Sequence, residues 1–212
     1  MFDFKSAAWW RRVAVMVSGI FIMGLGVSIF KLSLMGNDPC SAFGMAMGDF
    51  VGLPFSVILV IIQMVWFTLE IALGRHMIGI GTFFNWFFVG VFTDFWLWIF
   101  NSFITIPEAF FPRLLILIPG ILILSLSCAL YQTAKVGISP YDAVSLIMAE
   151  RLPIPYFWCR IMTDSFCAIM TFILGGIVGL GTLLCALGLG PFITFFTEKV
   201  AKPLCGYAKE EA

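Results

Sequence analysis

The chain has 212 residues, of which 61% are hydrophobic and only 11% are charged. Soluble domains are about half apolar and about a quarter charged, so this balance excludes a water-soluble globule and indicates an integral membrane protein whose main partner is the lipid bilayer. Twelve Lys and Arg balance twelve Asp and Glu, which leaves no basic surface and excludes nucleic-acid binding.

Six stretches are apolar enough to cross about 30 Å of hydrocarbon as helices of roughly 20 residues. They lie near residues 13–34, 55–73, 81–103, 114–134, 156–174 and 181–199. Two further apolar stretches, 39–51 and 140–152, begin with Pro and are only about a dozen residues long, which favours half-helices or interfacial helices. The predicted fold class is therefore all-α, with six transmembrane helices and two short broken or re-entrant half-helices.

Orientation follows from the basic residues near the span ends, because short cytoplasmic loops carry an excess of Lys and Arg. Of the twelve Lys and Arg, all but Lys31 and Arg113 fall on one side of the predicted membrane. That majority includes Lys5, Arg160 and Lys209. Both termini are therefore predicted to be cytoplasmic.

The chain contains an internal repeat. A shift of 101 positions, which becomes 100 towards the end of each copy, superposes eight pairs of identical Gly or Pro residues, more than the roughly two that chance would align. These pairs are Gly19 and Gly120, Gly36 and Gly137, Pro39 and Pro140, Pro54 and Pro155, Gly74 and Gly175, Gly79 and Gly179, Gly81 and Gly181, and Gly90 and Gly190. The glycines of the two Gly-x-Gly-Thr segments imply close backbone approach.

The repeat predicts the organisation of the chain as one membrane domain built from copies 1–104 and 105–212. Each copy holds three spans, an odd number, so the second copy must lie inverted relative to the first. Inverted repeats recur in secondary transporters, where interrupted helices meet near the bilayer midplane. If each short stretch instead crosses the membrane, the chain has eight spans and the copies are parallel.

The two short stretches share a capping pattern. Asp38 and Ser139 are predicted N-caps, each followed by Pro, and Ser41 and Asp142 stand three residues further on. This capping can be purely structural, since an unsatisfied N–H in hydrocarbon costs several kcal/mol. In the functional alternative, the positive ends of two opposed half-helices, with Tyr141 beside them, form a polar binding site.

Polar residues within the spans also pair through the repeat. The pairs are Gln63 with Asp164, Lys31 with Gln132, Asn85 with Cys185, and Asp94 with Thr194. Because an ionised carboxylate in lipid is costly, we expect Asp94 and Asp164 to face the interior of the bundle. Arg160 lies one helical turn before Asp164 and can pair with it. Glu70, near the end of its span, is expected to extend to the membrane interface.

These observations give a predicted substrate-binding set. It comprises Asp38, Ser41, Gln63, Asn85, Asp94, Gln132, Ser139, Tyr141, Asp142 and Asp164. The six cysteines are scattered without a CxxC pair and His76 is the single histidine, so no metal site and no cofactor are expected. No P-loop, GxSxG or HExxH motif is present, and we therefore expect no catalytic residues and no enzymatic activity.

The motifs GISPYD at 137–142, GLGT at 179–182 and GPFIT at 190–194 resemble those of the YczE/YyaS/YitT group of small bacterial membrane proteins, over most of the chain. The resemblance implies a multi-pass protein of the bacterial cytoplasmic (inner) membrane and supplies no substrate, because the group is largely uncharacterised. Its pattern usually has an acidic residue where Thr194 stands here, whereas the first copy carries Asp94 at the matching position.

The sequence favours a secondary transporter or facilitator of a small polar solute or ion. Two alternatives stay open: a substrate-binding membrane subunit of a larger transporter, and a membrane scaffold or assembly partner without transport activity. A symmetric homodimer is a further expectation, with Gly19, Gly24 and Ser28 available to pack against a partner or a neighbouring span.

Overall fold

The computed structural model describes residues 6–103 and 109–207. Within these residues all regular secondary structure is helical and no strand is present, which confirms the all-α class. The α-helices are α1 (Ala7–Ser33), α2 (Pro39–Val51), α3 (Phe55–Leu73), α4 (Ile80–Phe103), α5 (Phe110–Thr133), α6 (Pro140–Arg151), α7 (Tyr156–Ile173), α8 (Leu180–Phe196) and α9 (Lys202–Cys205). The predicted repeat boundary at 104/105, like Lys5 and Lys209, lies outside the described residues.

Five helical stretches of the described chain are long and apolar enough to cross a membrane: α1, α3, α4, α5 and the continuous run Leu180–Cys205, in which α8 leads through a π-helical segment into α9. They correspond to five of the six predicted spans. The sixth, α7, has 18 residues and is about 27 Å long at 1.5 Å per residue. Arg160 and Asp164 lie within it and make it less apolar than the others.

The two short helices begin at Pro39 and Pro140, as the capping pattern predicts. α2 has 13 residues and α6 has 12, about 20 and 18 Å of helix, which is shorter than the hydrocarbon core. Each follows a sharp reversal with two residues in the left-handed region, at Leu34 and Gly36 before α2 and at Lys135 and Gly137 before α6. The sequence repeat is thus also a repeat of local backbone conformation.

Packing follows the same repeat. α1 and α5 form the most extensive helix pair at the centre of the bundle. The contact of α1 with α4 is matched by that of α5 with α8, and the contact of α2 with α7 is matched by that of α6 with α3. Each short helix therefore packs against a helix of the other half of the chain, so the two halves are interlocked.

Glycines allow the halves to approach closely, as the sequence indicates. The N–H of Gly81 donates to the carbonyl of Val136 at 3.0 Å, and the N–H of Gly181 donates to the carbonyl of Met35 at 2.8 Å. These two bonds are equivalent under the repeat. Each one joins the start of a long helix in one half to the reversal before the short helix of the other half.

Small residues of α1 pack against helices of the same chain. Gly19 lies against Leu130 and Tyr131 of α5, and Gly24 lies against Phe92 of α4. Ser28 is fully buried and donates to a carbonyl of its own helix. Of the two roles the sequence leaves open for these residues, the structure shows contact with neighbouring spans.

The close packing of α1 on α4 predicts a size limit at Gly24. A Cβ there would lie 2.6 Å from Phe92 Cβ and 2.9 Å from the Thr93 nitrogen, so Gly24→Ala should lower the free energy of unfolding by about 1–3 kcal/mol through overpacking. Gly188→Ala is the matched control, because no atom lies within 4 Å of its Cβ position and alanine favours a helix by up to about 1 kcal/mol. Thermal unfolding in detergent measures both, and equal midpoints would contradict this packing.

Candidate functional site

A small cavity of about 50 Å³, lined mostly by buried residues, lies where the first turns of α2 and α6 converge. We call it the central cavity. Each helix from α1 to α8 contributes at least one residue to its wall. The polar and charged residues that line it are Asp38, Ser41, Gln63, Asn85, Ser139, Tyr141, Asp142 and Arg160. Seven of the ten predicted binding residues therefore share one cavity.

The first turn of α2 is capped by Asp38, as predicted. Its Oδ1 accepts a hydrogen bond from the N–H of Ser41 at 3.1 Å, and its own N–H donates to Asn37 Oδ1 at 2.8 Å. The other carboxylate oxygen, Oδ2, is buried and has no hydrogen-bond partner. Asp38 thus uses one oxygen to cap the helix and leaves the other unsatisfied beside the cavity.

The first turn of α6 is capped by Ser139. Its hydroxyl accepts from the N–H of Asp142 at 3.3 Å and donates to Asp142 Oδ2 at 2.9 Å. The hydroxyl of Tyr131 on α5 also donates to it at 3.4 Å. The predicted N-cap at Ser139 is confirmed, and the Asp142 carboxylate also accepts a hydrogen bond from the capping serine hydroxyl.

Arg160 joins two aspartates into one buried cluster. Its Nη1 pairs with Asp142 Oδ1, and its Nε lies 3.2 Å from Asp164 Oδ1 and 3.3 Å from Oδ2. The Tyr141 hydroxyl donates to Asp164 Oδ1, and the Arg160 guanidinium stands 4.9 Å from the centre of the Tyr141 ring. One positive charge is therefore shared by two buried carboxylates from α6 and α7.

The amide side chains complete the wall from the first half of the chain. Gln63 Oε1 on α3 accepts from the N–H of Tyr141 at 3.1 Å, a second bond to the first turn of α6. Asn85 Nδ2 on α4 lies 3.7 Å from the sulfur of Met23 on α1. Gln63 thus ties the two halves of the chain together at the cavity.

Three predicted site residues do not line the cavity. Asp164 lies behind Arg160 and Tyr141, which it contacts. Gln132 is half-buried and donates to the Tyr131 hydroxyl at 3.4 Å. Tyr131 in turn contacts the cavity residue Ser139, so Gln132 is separated from the cavity wall by Tyr131. The third is Asp94.

Asp94 is exposed on α4, so the expectation that it faces the bundle interior is wrong. The buried face of α4 runs through Asn85, Val89 and Thr93. One residue beyond Thr93 the helix has turned by about 100°, which carries Asp94 to the outer surface.

Glu70 also differs from its expectation. It is fully buried at the end of α3 and both carboxylate oxygens lack a hydrogen-bond partner, so it does not extend to the interface. α3 packs against α6 and α4, and a side chain that is enclosed by neighbouring helices cannot reach water.

Two contributors were not in the predicted set. Arg160 belongs to the basic residues near the span ends, and its four-residue spacing from Asp164 predicts their pairing. Its link to Asp142 depends on how α6 packs on α7. No sequence pattern predicted a role for Tyr131 at the site, apart from its position beside Gln132. Within residues 6–103 and 109–207, no three His, Cys, Asp or Glu side chains are grouped to hold a metal ion.

A wider cleft of about 430 Å³ opens at one end of the bundle, between the ends of α1 and α2, the start of α3 and residues 175–177. We call it the open cleft. Lys31 and Asp49 lie on its exposed rim, and Asn37, which is buried, lies deep within it. Since Asn37 directly precedes Asp38, the open cleft ends within one residue of the central cavity.

The place related to the open cleft by the repeat is filled. Met77, Ala143 and Ile147 are buried together there, and we call them the closed cluster. Under the shift of 101, Ile147 corresponds to Ala46, a small residue that lines the open cleft. A hydrogen-bond contact between His76 Nε2 and Glu150 Oε1 at 3.2 Å lies on the surface of this region. Equivalent backbone positions are thus open at one end and packed at the other.

The chain is similar to a protein family of unknown function and to three uncharacterized proteins of bacteria. A family of unknown function (DUF6198) matches residues 10–198. An uncharacterized protein of Haemophilus influenzae is 27% identical over 199 residues, which cover 92% of this chain and 87% of the relative. No solved structure is significantly similar.

Two proteins of Bacillus subtilis also match. The uncharacterized protein YyaS is 25% identical over 169 residues, covering 78% of this chain and 82% of its own length. The uncharacterized membrane protein YczE is 24% identical over 179 residues, covering 84% and 81%. These matches confirm the resemblance to YczE and YyaS that the motifs indicate.

The shared charge of Arg160 predicts a large effect of its removal. Arg160→Gln leaves Asp142 and Asp164 buried without a counter-charge and should cost about 3–5 kcal/mol of unfolding free energy. Glu198→Gln is the control, because it breaks the 2.8 Å pair with Lys202 at a glutamate that is 53% exposed, for about 1 kcal/mol or less. Thermal midpoints in detergent compare the two, and a similar small shift for both would contradict the cluster.

Proposed function

We propose that this chain, which belongs to the family of unknown function DUF6198, is a secondary transporter or facilitator that moves a small polar solute or ion across the membrane by alternating access. The observation that carries the proposal is that the first turns of two interrupted helices, one from each half of the chain, line a single small polar cavity. Secondary transporters of several folds bind their substrates at such a place.

The matched packing of the two halves supports an inverted repeat. The left-handed residues before α2 recur before α6, and the glycine hydrogen bonds at Val136 and Met35 are equivalent. With α7 as a sixth span, each half makes three crossings, and an odd number of crossings inverts the second half. The proposal therefore includes six spans. The short helix α2 connects α1 to α3, and the short helix α6 connects α5 to α7.

The difference between the open cleft and the closed cluster supports alternation. Both places have the same backbone environment under the repeat, so an exchange of conformations between the halves would close the cleft and separate Met77 from Ile147. In inverted repeats this exchange exposes the same central site to the opposite side of the membrane.

The proposed location is the bacterial cytoplasmic membrane with both termini in the cytoplasm, since the basic residues favour that side. The open cleft then faces outwards and the closed cluster faces the cytoplasm. The central cavity is built from one chain, so transport needs no second copy, and the proposal assigns the chain no enzymatic activity.

The inverted arrangement predicts opposite accessibility for two equivalent residues. Asp49 and Glu150 correspond under the repeat and both are exposed, so Asp49→Cys should react with a membrane-impermeant maleimide in intact cells. Glu150→Cys should react only after permeabilisation. The six native cysteines are buried and give a low background, which the unmodified chain measures. Labelling of both positions from the same side would overturn the inverted repeat.

Transport itself is tested with purified protein in liposomes. Uptake of radiolabelled Na⁺, Rb⁺, alanine and glucose is measured against protein-free vesicles, and we expect flux of at least one probe. Gln63→Ala, which removes a cavity wall residue, should reduce that flux about tenfold, equivalent to about 1.4 kcal/mol, whereas Glu198→Gln should leave it unchanged. Flux that is equal in the Gln63→Ala and Glu198→Gln proteins, or no flux of any probe, would contradict the proposal.

A further inference from the structure

The unsatisfied oxygen of Asp38 identifies a ligand position within the central cavity. We propose that the cavity binds one small monovalent metal cation, with Asp38 Oδ2 as its anionic ligand. This inference rests on the proposed function for the role of the cavity, but the binding event itself can be measured without transport.

Asp38 differs from the two aspartates of the buried cluster because one of its carboxylate oxygens has no hydrogen-bond partner. Asp142 accepts from Arg160 and Ser139. Asp164 accepts from Tyr141 and Arg160. In Asp38, Oδ1 accepts from Ser41, while Oδ2 is buried with no partner. Asp38 is 9% exposed, so bulk water does not compensate for the missing bond, and an unpaired buried carboxylate oxygen is costly.

The balance of charge around the cavity favours a single positive ligand. When Asp38, Asp142 and Asp164 are all ionised, they carry three negative charges, and Arg160 carries one positive charge, which leaves an excess of two negative charges. The N-termini of α2 and α6 each contribute about half a positive charge. The remaining excess is about one negative charge, which one monovalent cation neutralises.

The wall supplies the kind of ligand that a hard cation needs. Ser41, Gln63, Asn85 and Ser139, whose side chains carry oxygen atoms, line the cavity together with Asp38. Oxygen atoms are the preferred ligands of hard cations. Asn85 points its Nδ2 at the Met23 sulfur, which leaves its carbonyl oxygen for another partner.

Size and charge argue against the other ligand classes. A cavity of about 50 Å³ holds an ion with a few waters, since one water needs roughly 10–15 Å³ of such space, but not a sugar or an amino acid. An anion would add to the negative excess. A divalent cation would leave an uncompensated positive charge in the same buried space, which is costly.

The test is cation-dependent stability of the full chain in detergent. Thermal unfolding is measured in NaCl, KCl, LiCl and choline chloride at equal ionic strength and pH. We expect at least one metal cation to raise the midpoint in a saturable manner relative to choline, because a ligand that binds only the folded state stabilises it. Asp38→Asn should raise the apparent Kd about tenfold or more, since it removes one anionic ligand.

Asp38→Asn is chosen because asparagine caps a helix as well as aspartate does, so α2 is expected to remain folded. Size-exclusion elution and the midpoint in choline check this. The charge-matched control is Glu198→Gln, which should retain the full cation response. A variant that does not fold is replaced by Asn85→Ala, which removes a neutral ligand oxygen and should also weaken the response.

Three results would overturn the inference: no difference between metal cations and choline, an undiminished response in folded Asp38→Asn, or a response to pH alone that no metal cation alters. Failure of transport is distinguishable from these results. Saturable cation binding that depends on Asp38 without flux in liposomes would leave the binding site standing and remove the transporter. Flux in liposomes without any effect of metal cations on the thermal midpoint would remove the cation site and leave the transporter standing.

Discussion

The constraint on which this fold depends is that two helices begin inside a protein shaped by lipid, where their first N–H groups have no water to bond. Each such group must be satisfied by the chain itself. Asp38 and Ser139 satisfy them locally, and Gln63 adds a bond from a helix of the other half. The caps therefore bring polar atoms to the middle of the bundle, and the buried cluster of Asp142, Arg160 and Asp164 is assembled around one of them.

Close backbone approach holds these interrupted helices in place. The bonds from Gly81 to Val136 and from Gly181 to Met35 fasten each reversal to the opposite half, and neither position has space for a side chain. The two halves share this backbone plan but differ in side-chain size: Ala46 lines an open cleft, whereas Ile147 at the equivalent place is buried in a packed cluster. This difference in side-chain size on a shared backbone plan is the structural basis of the alternation proposed above.

The accuracy of prediction varied with the kind of signal. The starts of α2 and α6 were predictable because Pro at the first helical position and a capping side chain before it are local features. The pairing of Arg160 with Asp164 was also predictable, since it depends only on one helical turn. The positions of Asp94 and Glu70 were not, because α4 and α3 are apolar on nearly every side and their sequences do not distinguish a face towards neighbours from a face towards lipid.

The sequence by itself determined that this is a helical membrane protein, that its halves repeat, and where its helices break, because hydropathy, glycine, proline and capping act over a few residues. Only the tertiary structure decided that Asp38, Gln63, Asn85 and Asp142 share one cavity, that Arg160 serves two carboxylates, and that one end of the bundle is open while the other is packed. These features depend on the rotation and approach of helices far apart in the chain, and in a chain so uniformly apolar no local pattern specifies them.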